Sequence, residues 1–171
     1  TMDYIDAFGY GFDFKDTKMV NVGVAVDENR NNTFKDSKVK DKIAVVKKGT
    51  TTLNDKIYNL SKAGAKGIIL VDTNETIDNR IEFNDWYGVP TIIVNKIVGE
   101  KLFAAANSNS KMSFESLDNT KKVSTSVYMS NFSSWGPTNE LGIKPEITAP
   151  GGMIKSTLNG EDGYAVYSGT S

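Results

Sequence analysis

The chain contains no histidine and no cysteine, and these two absences exclude several kinds of chemistry. Without cysteine there are no disulfides, thiolate metal sites or cysteine nucleophiles. Without histidine, a serine nucleophile among these 171 residues lacks the base that usually removes its proton. No apolar run approaches the roughly 20 residues that a membrane-spanning helix needs. A reactive serine in this chain would therefore be separated from its base.

Charge and composition narrow the class of protein further. The formal net charge is −1, which gives no electrostatic reason to expect nucleic acid or an anionic membrane as a partner. Apolar residues make up 39% of the chain, enough for a packed core. Residues 1–6 lack the basic and apolar regions of a signal peptide. We expect a segment of a longer protein or a cytosolic protein.

The pattern of apolar residues predicts a mixed α/β fold with short strands and two helices. Two of the strands, "GIILV" and "VPTIIV", are continuous apolar runs, which is typical of strands buried on both faces. The predicted strands are residues 19–26, 42–46, 67–71, 89–94, about 111–115 and 123–129.

Both predicted helices begin at a recognisable cap. Thr52 is expected to cap the helix over residues 53–63 together with Asp55, and Gly64 to end it in a left-handed conformation. Asn95 is expected to cap the second helix. Each helix carries one apolar stripe: Leu53, Ile57 and Leu60 on the first, and Val98, Leu102 and Ala105 on the second.

The composition changes after Met129, where glycine, proline, serine and threonine become frequent. We therefore predict a domain boundary near residues 122–130, with one domain over residues 1–125 and a partial second domain over residues 126–171. Three segments follow one another in this second part: "NFSSWGPT" (residues 131–138), "KPEITAPGG" (residues 144–152) and "GYAVYSGTS" (residues 163–171). Their order and spacing resemble the run that leads to the catalytic serine of subtilisin-like serine proteases.

The first part resembles a protease-associated domain. The markers are the "KIAVV" strand followed by glycine, the "AGAKG" corner, and "VPTIIV" followed by a "GEKL" helix, so the core of the resemblance covers about residues 36–125. Certain Gram-positive cell-envelope proteinases carry such a domain as an insertion ahead of the "FSS" segment. Trp135, in place of the commoner arginine, is similar to the streptococcal surface-peptidase branch. The resemblance implies strands flanked by short helices, then part of a subtilisin-like α/β catalytic domain.

The subtilisin-like pattern also implies roles for the last three residues. Ser171 would be the nucleophile, and its amide would donate to the oxyanion. Thr170 would add a hydroxyl donor to the oxyanion hole, and Gly169 would let the backbone approach the substrate closely. The aspartate, histidine and oxyanion-hole asparagine of the family would lie upstream, outside this chain.

We therefore expect a segment of a secreted or surface-associated, extracellular endopeptidase that hydrolyses protein or peptide substrates. The segment itself should be inactive, and the inserted domain should select substrates or gate the active site. No cofactor is predicted; the family allows calcium in the parent enzyme, but this segment does not specify it. An alternative is a binding module whose tail is only a linker. A further alternative is a processed two-chain enzyme cleaved after Ser171.

Other features favour structural explanations. Residues 27–32 and 78–85 contain oxygen ligands that could hold calcium, but they lack the spacing of a calcium loop and are expected to be solvated. Trp86 and Tyr87 are expected to pack beneath a loop rather than to contact a peptide. Asp13 and Asp16 are expected at the surface. The tail, residues 131–171, carries apolar side chains that should pack against the first domain or a second copy, so a homodimer through the tail is a hypothesis.

Overall fold

A computed structural model of the chain describes residues 2–8, 10–77, 88–115, 129–130, 132–134, 136–142, 144–152, 154–157 and 164–170. The helices are α1 (Asp36–Val39), α2 (Leu53–Lys62) and α3 (Lys96–Asn107). The strands are β1 (Tyr4–Asp6), β2 (Phe14–Asn21), β3 (Ile43–Lys47), β4 (Gly67–Val71), β5 (Thr91–Val94), β6 (Lys111–Phe114), β7 (Ile154–Thr157) and β8 (Tyr164–Tyr167).

Six strands form one mixed sheet in the order β1-β5-β4-β3-β2-β6. The four central strands, β2 to β5, are parallel to one another, whereas β1 and β6 pair antiparallel at the two edges. Parallel strands need crossover connections, and α1 and α2 supply two of them. The predicted mixed α/β fold class is thus confirmed.

The sheet has a hydrophobic core on each face. Successive residues of a strand point to opposite faces, so Ile43 and Val45 pack in one core while Ala44 and Val46 pack in the other. Helices α1 and α2 cover the second of these faces, and α3 covers the first. All five residues of β4 are buried, as its continuous apolar run predicts.

Helix α2 has the predicted ends, with one difference at its start. Gly64, at φ +82°, ends the helix: its amide donates to the Ser61 carbonyl, and the Ala65 amide donates to the Leu60 carbonyl. Thr52 is the N-cap, but its hydroxyl bonds the Asp55 carboxylate instead of a backbone amide. The prediction of a capping box is therefore wrong in its hydrogen bonds, although Thr52 and Asp55 do contact each other.

Helix α3 begins at the predicted cap, because the Asn95 side chain accepts a hydrogen bond from the Val98 amide at 2.9 Å. Its buried face is rotated from the prediction. The buried residues are Gly99, Leu102, Phe103 and Ala106, whereas Val98 and Ala105 are only partly buried. Gly99 explains the rotation, since a Cβ atom there would lie 2.0 Å from Cγ1 of Val71, so the helix backbone packs directly onto β4.

Strand β2 was predicted over residues 19–26, and that boundary is wrong. The strand ends at Asn21, whose Oδ1 accepts the Gly23 amide at 2.9 Å. Gly23 (φ +61°) and Ala25 (φ +63°) then adopt left-handed conformations that a strand cannot contain. The strand begins earlier, at Phe14, because its polar first half pairs with β6 at the edge of the sheet.

The C-terminal part contains an antiparallel hairpin of β7 and β8, in which Ile154 pairs with Tyr167 and Thr157 with Tyr164. The strand predicted over residues 123–129 lies outside the described residues except for Met129, as does most of the predicted domain boundary. Among the described helices, none is long and apolar enough to cross a membrane.

Candidate functional site

The residues with predicted catalytic roles follow directly after β8. Ser171, the predicted nucleophile, lies outside the described residues. Gly169 and Thr170 are described, and both are exposed. The geometry of the candidate site is therefore the geometry of the backbone that leads to Ser171.

A backbone contact joins two of the three motif segments. The Gly169 amide of "SGTS" donates a hydrogen bond of 2.9 Å to the Gly151 carbonyl of "APGG". A Cβ atom on Gly151 would lie 2.6 Å from the Gly169 carbonyl oxygen, closer than real Cβ atoms come to any atom. The same Cβ position is 3.9 Å from the ring of Phe132, in "FSS". All three motif segments thus meet around Gly151.

A second close contact lies at the start of the same region. The Gly136 amide donates to the Lys144 carbonyl at 3.0 Å. A Cβ atom on Gly136 would lie 2.8 Å from the Lys144 amide nitrogen and 2.9 Å from its carbonyl oxygen. The "GP" and "KP" parts of two motifs therefore pack backbone to backbone, which glycine allows.

Several apolar side chains among the described residues of this region are exposed. Leu141 is 82% exposed, Ile147 is 88% exposed and Tyr164 is 62% exposed. A described contact with the first part of the chain comes from Lys155, whose Nζ lies 5.1 Å from the centre of the Tyr10 ring. The expected packing of the tail against the first domain is thus small in the described residues.

Two clefts of about 330 and 340 Å³ open on the first part of the chain. The first is lined by Met19, Val20, Asn21, Lys38, Lys42, Ala106, Asn107 and Asn109. The second is lined by Asp27, Glu28, Arg30, Thr50, Thr51, Thr52 and Asp55. Neither cleft includes a residue from the three motif segments.

In the first loop considered for calcium, residues 27–32, the Asp27 carboxylate forms hydrogen bonds within a turn. Asp27 Oδ1 accepts the Asn29 amide at 2.9 Å and the Asn31 amide at 2.8 Å. Within the described parts of the chain, no three acidic, histidine or cysteine side chains are grouped as metal ligands. The second loop considered, residues 78–85, and the pair Trp86 and Tyr87 lie outside the described residues.

Two buried charged residues were not identified from the sequence. Lys56 is fully buried, with Nζ donating to the carbonyl of Val24 at 2.6 Å and of Lys47 at 3.2 Å. Burial lowers the pKa of the Lys56 ammonium below 10.5. A signal was present, because Lys56 falls on the apolar stripe of α2, three residues after Leu53.

Asp72, at the end of β4, is the second buried charge. It accepts the Thr73 amide at 2.6 Å and lies 3.7 Å from the ammonium of Lys48. Its side chain is inaccessible to solvent, whereas that of Lys48 is 25% exposed. Asp72 follows a buried strand directly, and this position gave no separate sign of burial in the sequence.

The family model of the PA domain matches residues 16–102, which is half of the chain. The chain therefore belongs to the PA domain family. The match spans β2 to β5 and most of α3, so it coincides with the central sheet and its covering helices.

The similar proteins are named as proteinases and peptidases. A PIII-type proteinase of Lactococcus lactis subsp. cremoris is 38% identical over 138 residues, which is 77% of this chain and 7% of that protein. A C5a peptidase of Streptococcus pyogenes serotype M3 is 34% identical over 158 residues, which is 92% of this chain and 13% of that protein. The chain thus spans only a small part of these relatives.

Among solved structures, an aminopeptidase from Aneurinibacillus sp. strain AM-1 is similar to the chain with a TM-score of 0.48 and 24% identity. The similarity covers 61% of this chain and 24% of the aminopeptidase.

Proposed function

We propose that the chain is a segment of an extracellular, subtilisin-like serine endopeptidase, with a PA domain placed ahead of the nucleophile Ser171. The observation that carries the proposal is the convergence of the three motif segments on Gly151. Segments that resemble one active-site run are brought together in space, although they are separated in sequence. The match to the C5a peptidase adds support, because it covers 92% of this chain. The part of this chain outside the match is shorter than residues 129–171, so the match must extend into the region of the three motif segments.

In the proposed parent enzyme, the Ser171 hydroxyl attacks the carbonyl carbon of a peptide bond while a histidine from outside this chain accepts its proton. The amide of Ser171 and the hydroxyl of Thr170 donate to the oxyanion. The histidine then protonates the leaving amine, and water hydrolyses the acyl-enzyme to regenerate Ser171. The substrates are proteins or peptides, and the rest of the protease chain supplies the missing aspartate, histidine and asparagine.

The inserted PA domain would select substrates or gate access to the active site. Exposed Gly169 and Thr170 lie next to a hairpin whose Lys155 approaches Tyr10 of the first part. Tyr10 packs against the core of the six-stranded sheet, so this contact links that sheet with the strand pair that leads to Ser171. The role itself rests on resemblance and not on fold alone.

The test is the Ser171→Ala variant of a longer protease that contains this segment. Its kcat should fall about 10⁶-fold with the fold unchanged, because no other hydroxyl replaces the nucleophile. The matched control is Ser156→Ala on exposed β7, which should retain the activity of the parent. The 171-residue chain should not react with a fluorophosphonate, since it contains no histidine. Stoichiometric labelling of the chain, or an active Ser171→Ala protease, would refute the proposal.

A second candidate function is a protein-binding module whose tail is a linker. The observation in its favour is that the six-stranded sheet has its own core on both faces, while the tail leaves Leu141 and Ile147 exposed. The Ser171→Ala experiment separates the two functions, because a binding module would show no loss of peptide hydrolysis.

A further inference from the structure

The contact between Gly151 and Gly169 constrains more than one hydrogen bond. The ladder of β7 and β8 runs from Thr157–Tyr164 to Ile154–Tyr167, and the bond from the Gly169 amide to the Gly151 carbonyl lies beyond the strand ends, offset by one residue from the register of the ladder. The Gly169 carbonyl oxygen also packs against Gly151, at the place where a side chain would begin. Both backbone polar groups of Gly169 are therefore directed at Gly151.

The position of the Gly169 carbonyl determines the direction of the next amide. The carbonyl of Gly169 and the N–H of Thr170 belong to one planar peptide group. If the carbonyl oxygen moved to make room for a Cβ atom on Gly151, this plane would rotate, and the Thr170 backbone would rotate with it. Thr170 precedes Ser171 directly, so the displacement would reach the residue that carries the nucleophile.

We infer that Gly151 is a positioning residue for the nucleophile: its carbonyl and its lack of a side chain hold the Gly169–Thr170 peptide in the orientation that hydrolysis requires. This inference rests on the proposed function. Catalytic groups and oxyanion donors must be held in place before the reaction, and a displacement of about 1 Å can lower a rate about 100-fold. A single added methyl group at residue 151 would force such a displacement, because the atom it meets is backbone.

The first experiment uses the 171-residue chain and measures amide hydrogen exchange at Gly169. In the unmodified chain, the hydrogen bond to Gly151 should slow exchange at least about tenfold below the rate of an unstructured peptide. Gly151→Ala should remove most of this protection. Gly142→Ala is the matched control, since its Cβ atom would meet a side-chain hydroxyl and not backbone: it would lie 3.0 Å from Oγ1 of Thr138, which accepts the Gly142 amide. Exchange of the unmodified Gly169 amide at the unstructured rate would refute the inference without any variant.

The second experiment compares kinetics in a longer protease that contains this segment. Gly151→Ala should lower kcat about 10- to 100-fold and leave KM within about twofold, because the nucleophile moves while the substrate-binding surface elsewhere is unchanged. The rate of fluorophosphonate labelling at Ser171 should fall by the same factor. Gly142→Ala should change neither constant. If Gly151→Ala only caused a fraction of the enzyme molecules to unfold, the fraction of labelled molecules would fall instead, and kcat per labelled site would be unchanged.

Comparison of Gly151→Ala with the Ser171→Ala variant separates failure of the inference from failure of the proposed function. An active, labelled Ser171→Ala protease would refute the function. An inactive Ser171→Ala protease beside a Gly151→Ala protease with the kcat and labelling rate of the parent would refute only the positioning role. Loss of labelled sites without a change in kcat per site would also refute it, in favour of a purely structural role.

Discussion

Strand β4 and the C-terminal hairpin are both short and both contain apolar residues, yet their burial is opposite. Every residue of β4 is buried, whereas all four residues of β7 are exposed. Strand β4 has a hydrogen-bonded neighbour on each side and a packed core on each face, while β7 has β8 as its neighbour. The same side chain shows the effect of the covering layers, because Ile68 in β4 is fully buried whereas Ile154 in β7 is 41% exposed, so Ile68 contributes more to stability.

Two leucines test this comparison with the largest expected effect. Leu60 is fully buried in α2, and Leu60→Ala should lower the free energy of unfolding by about 2–5 kcal/mol because it leaves a cavity. Leu141→Ala, the same change at a residue that is 82% exposed, should alter it by less than about 0.5 kcal/mol. Urea unfolding measures both. Equal effects of the two variants would contradict the assignment of the core.

A glycine at the contact between α3 and β4 gives the next largest effect. Gly99→Ala places a Cβ atom 2.0 Å from Cγ1 of Val71, so the helix must shift away from the sheet. Overpacking of this kind costs about 1–3 kcal/mol, partly offset by the roughly 0.5–1 kcal/mol that alanine gains over glycine in a helix. Thermal unfolding should show a lower Tm. The double variant with Val71→Ala should lose less free energy of unfolding than the two single variants lose in total, because the smaller side chain at residue 71 relieves the clash. If the two losses simply added, the clash would be excluded as the cause.

The buried ammonium of Lys56 makes the stability of the sheet region depend on pH. Its pKa is lowered in the folded chain because burial removes water from the charge, so the unfolded chain binds this proton more tightly. The free energy of unfolding should therefore rise with pH, from the lowered pKa up to about 10.5. Unfolding of the wild type and Lys56→Met compared over this range should show a difference that grows in favour of the wild type.

Lys101→Met, at an exposed position of α3, is the matched control for this measurement. The free energy of unfolding of this variant should stay within about 0.5 kcal/mol of that of the wild type, because Lys101 is exposed. If the difference in free energy of unfolding between the wild type and Lys56→Met did not change with pH, the Lys56 ammonium would be as well solvated in the folded chain as in the unfolded chain.

Removal of residues 131–171 should have the smallest effect on the first domain. The shortened chain should unfold within about 1 kcal/mol of the full chain, because the exposed side chains of the tail contribute little burial energy. Any dimer held by the tail should shift towards monomer, which sedimentation at several concentrations would detect. Unfolding of the shortened chain would show that the tail supports the sheet, and the comparison between the two regions would then be wrong.

The elements that the sequence predicts well are those with long or continuous apolar patterns. Strands β3, β4 and β5 and helices α2 and α3 lie within a few residues of their predicted bounds. Strand β1 is only three residues long, too short to show a period. Strand β2 was displaced because "GVAV" alternates like a strand, although Gly23 and Ala25 have positive φ angles that depend on the surrounding fold.

The candidate site divides in the same way. Motif spacing pointed to Gly169, Thr170 and Ser171, because such patterns are local. The hydrogen bond from Gly169 to Gly151 depends on the register of the hairpin between them, and no local pattern specifies it. Lys56 was missed for a different reason: a lysine on an apolar stripe normally extends to solvent, whereas here two carbonyl groups accept its protons inside the fold.

If the domain begins with β1 and ends with β6, the positions of these two strands determine how it can be attached to another protein. They form opposite edges of the six-stranded sheet, so a chain that enters through β1 leaves through β6 on the far side. Five spacings of about 4.8 Å separate the two edges by about 24 Å. Inserted into a host protein, the domain would be connected to it at two distant points and not at two adjacent ones. Cutting it out and rejoining the host would require a bridge of about seven extended residues.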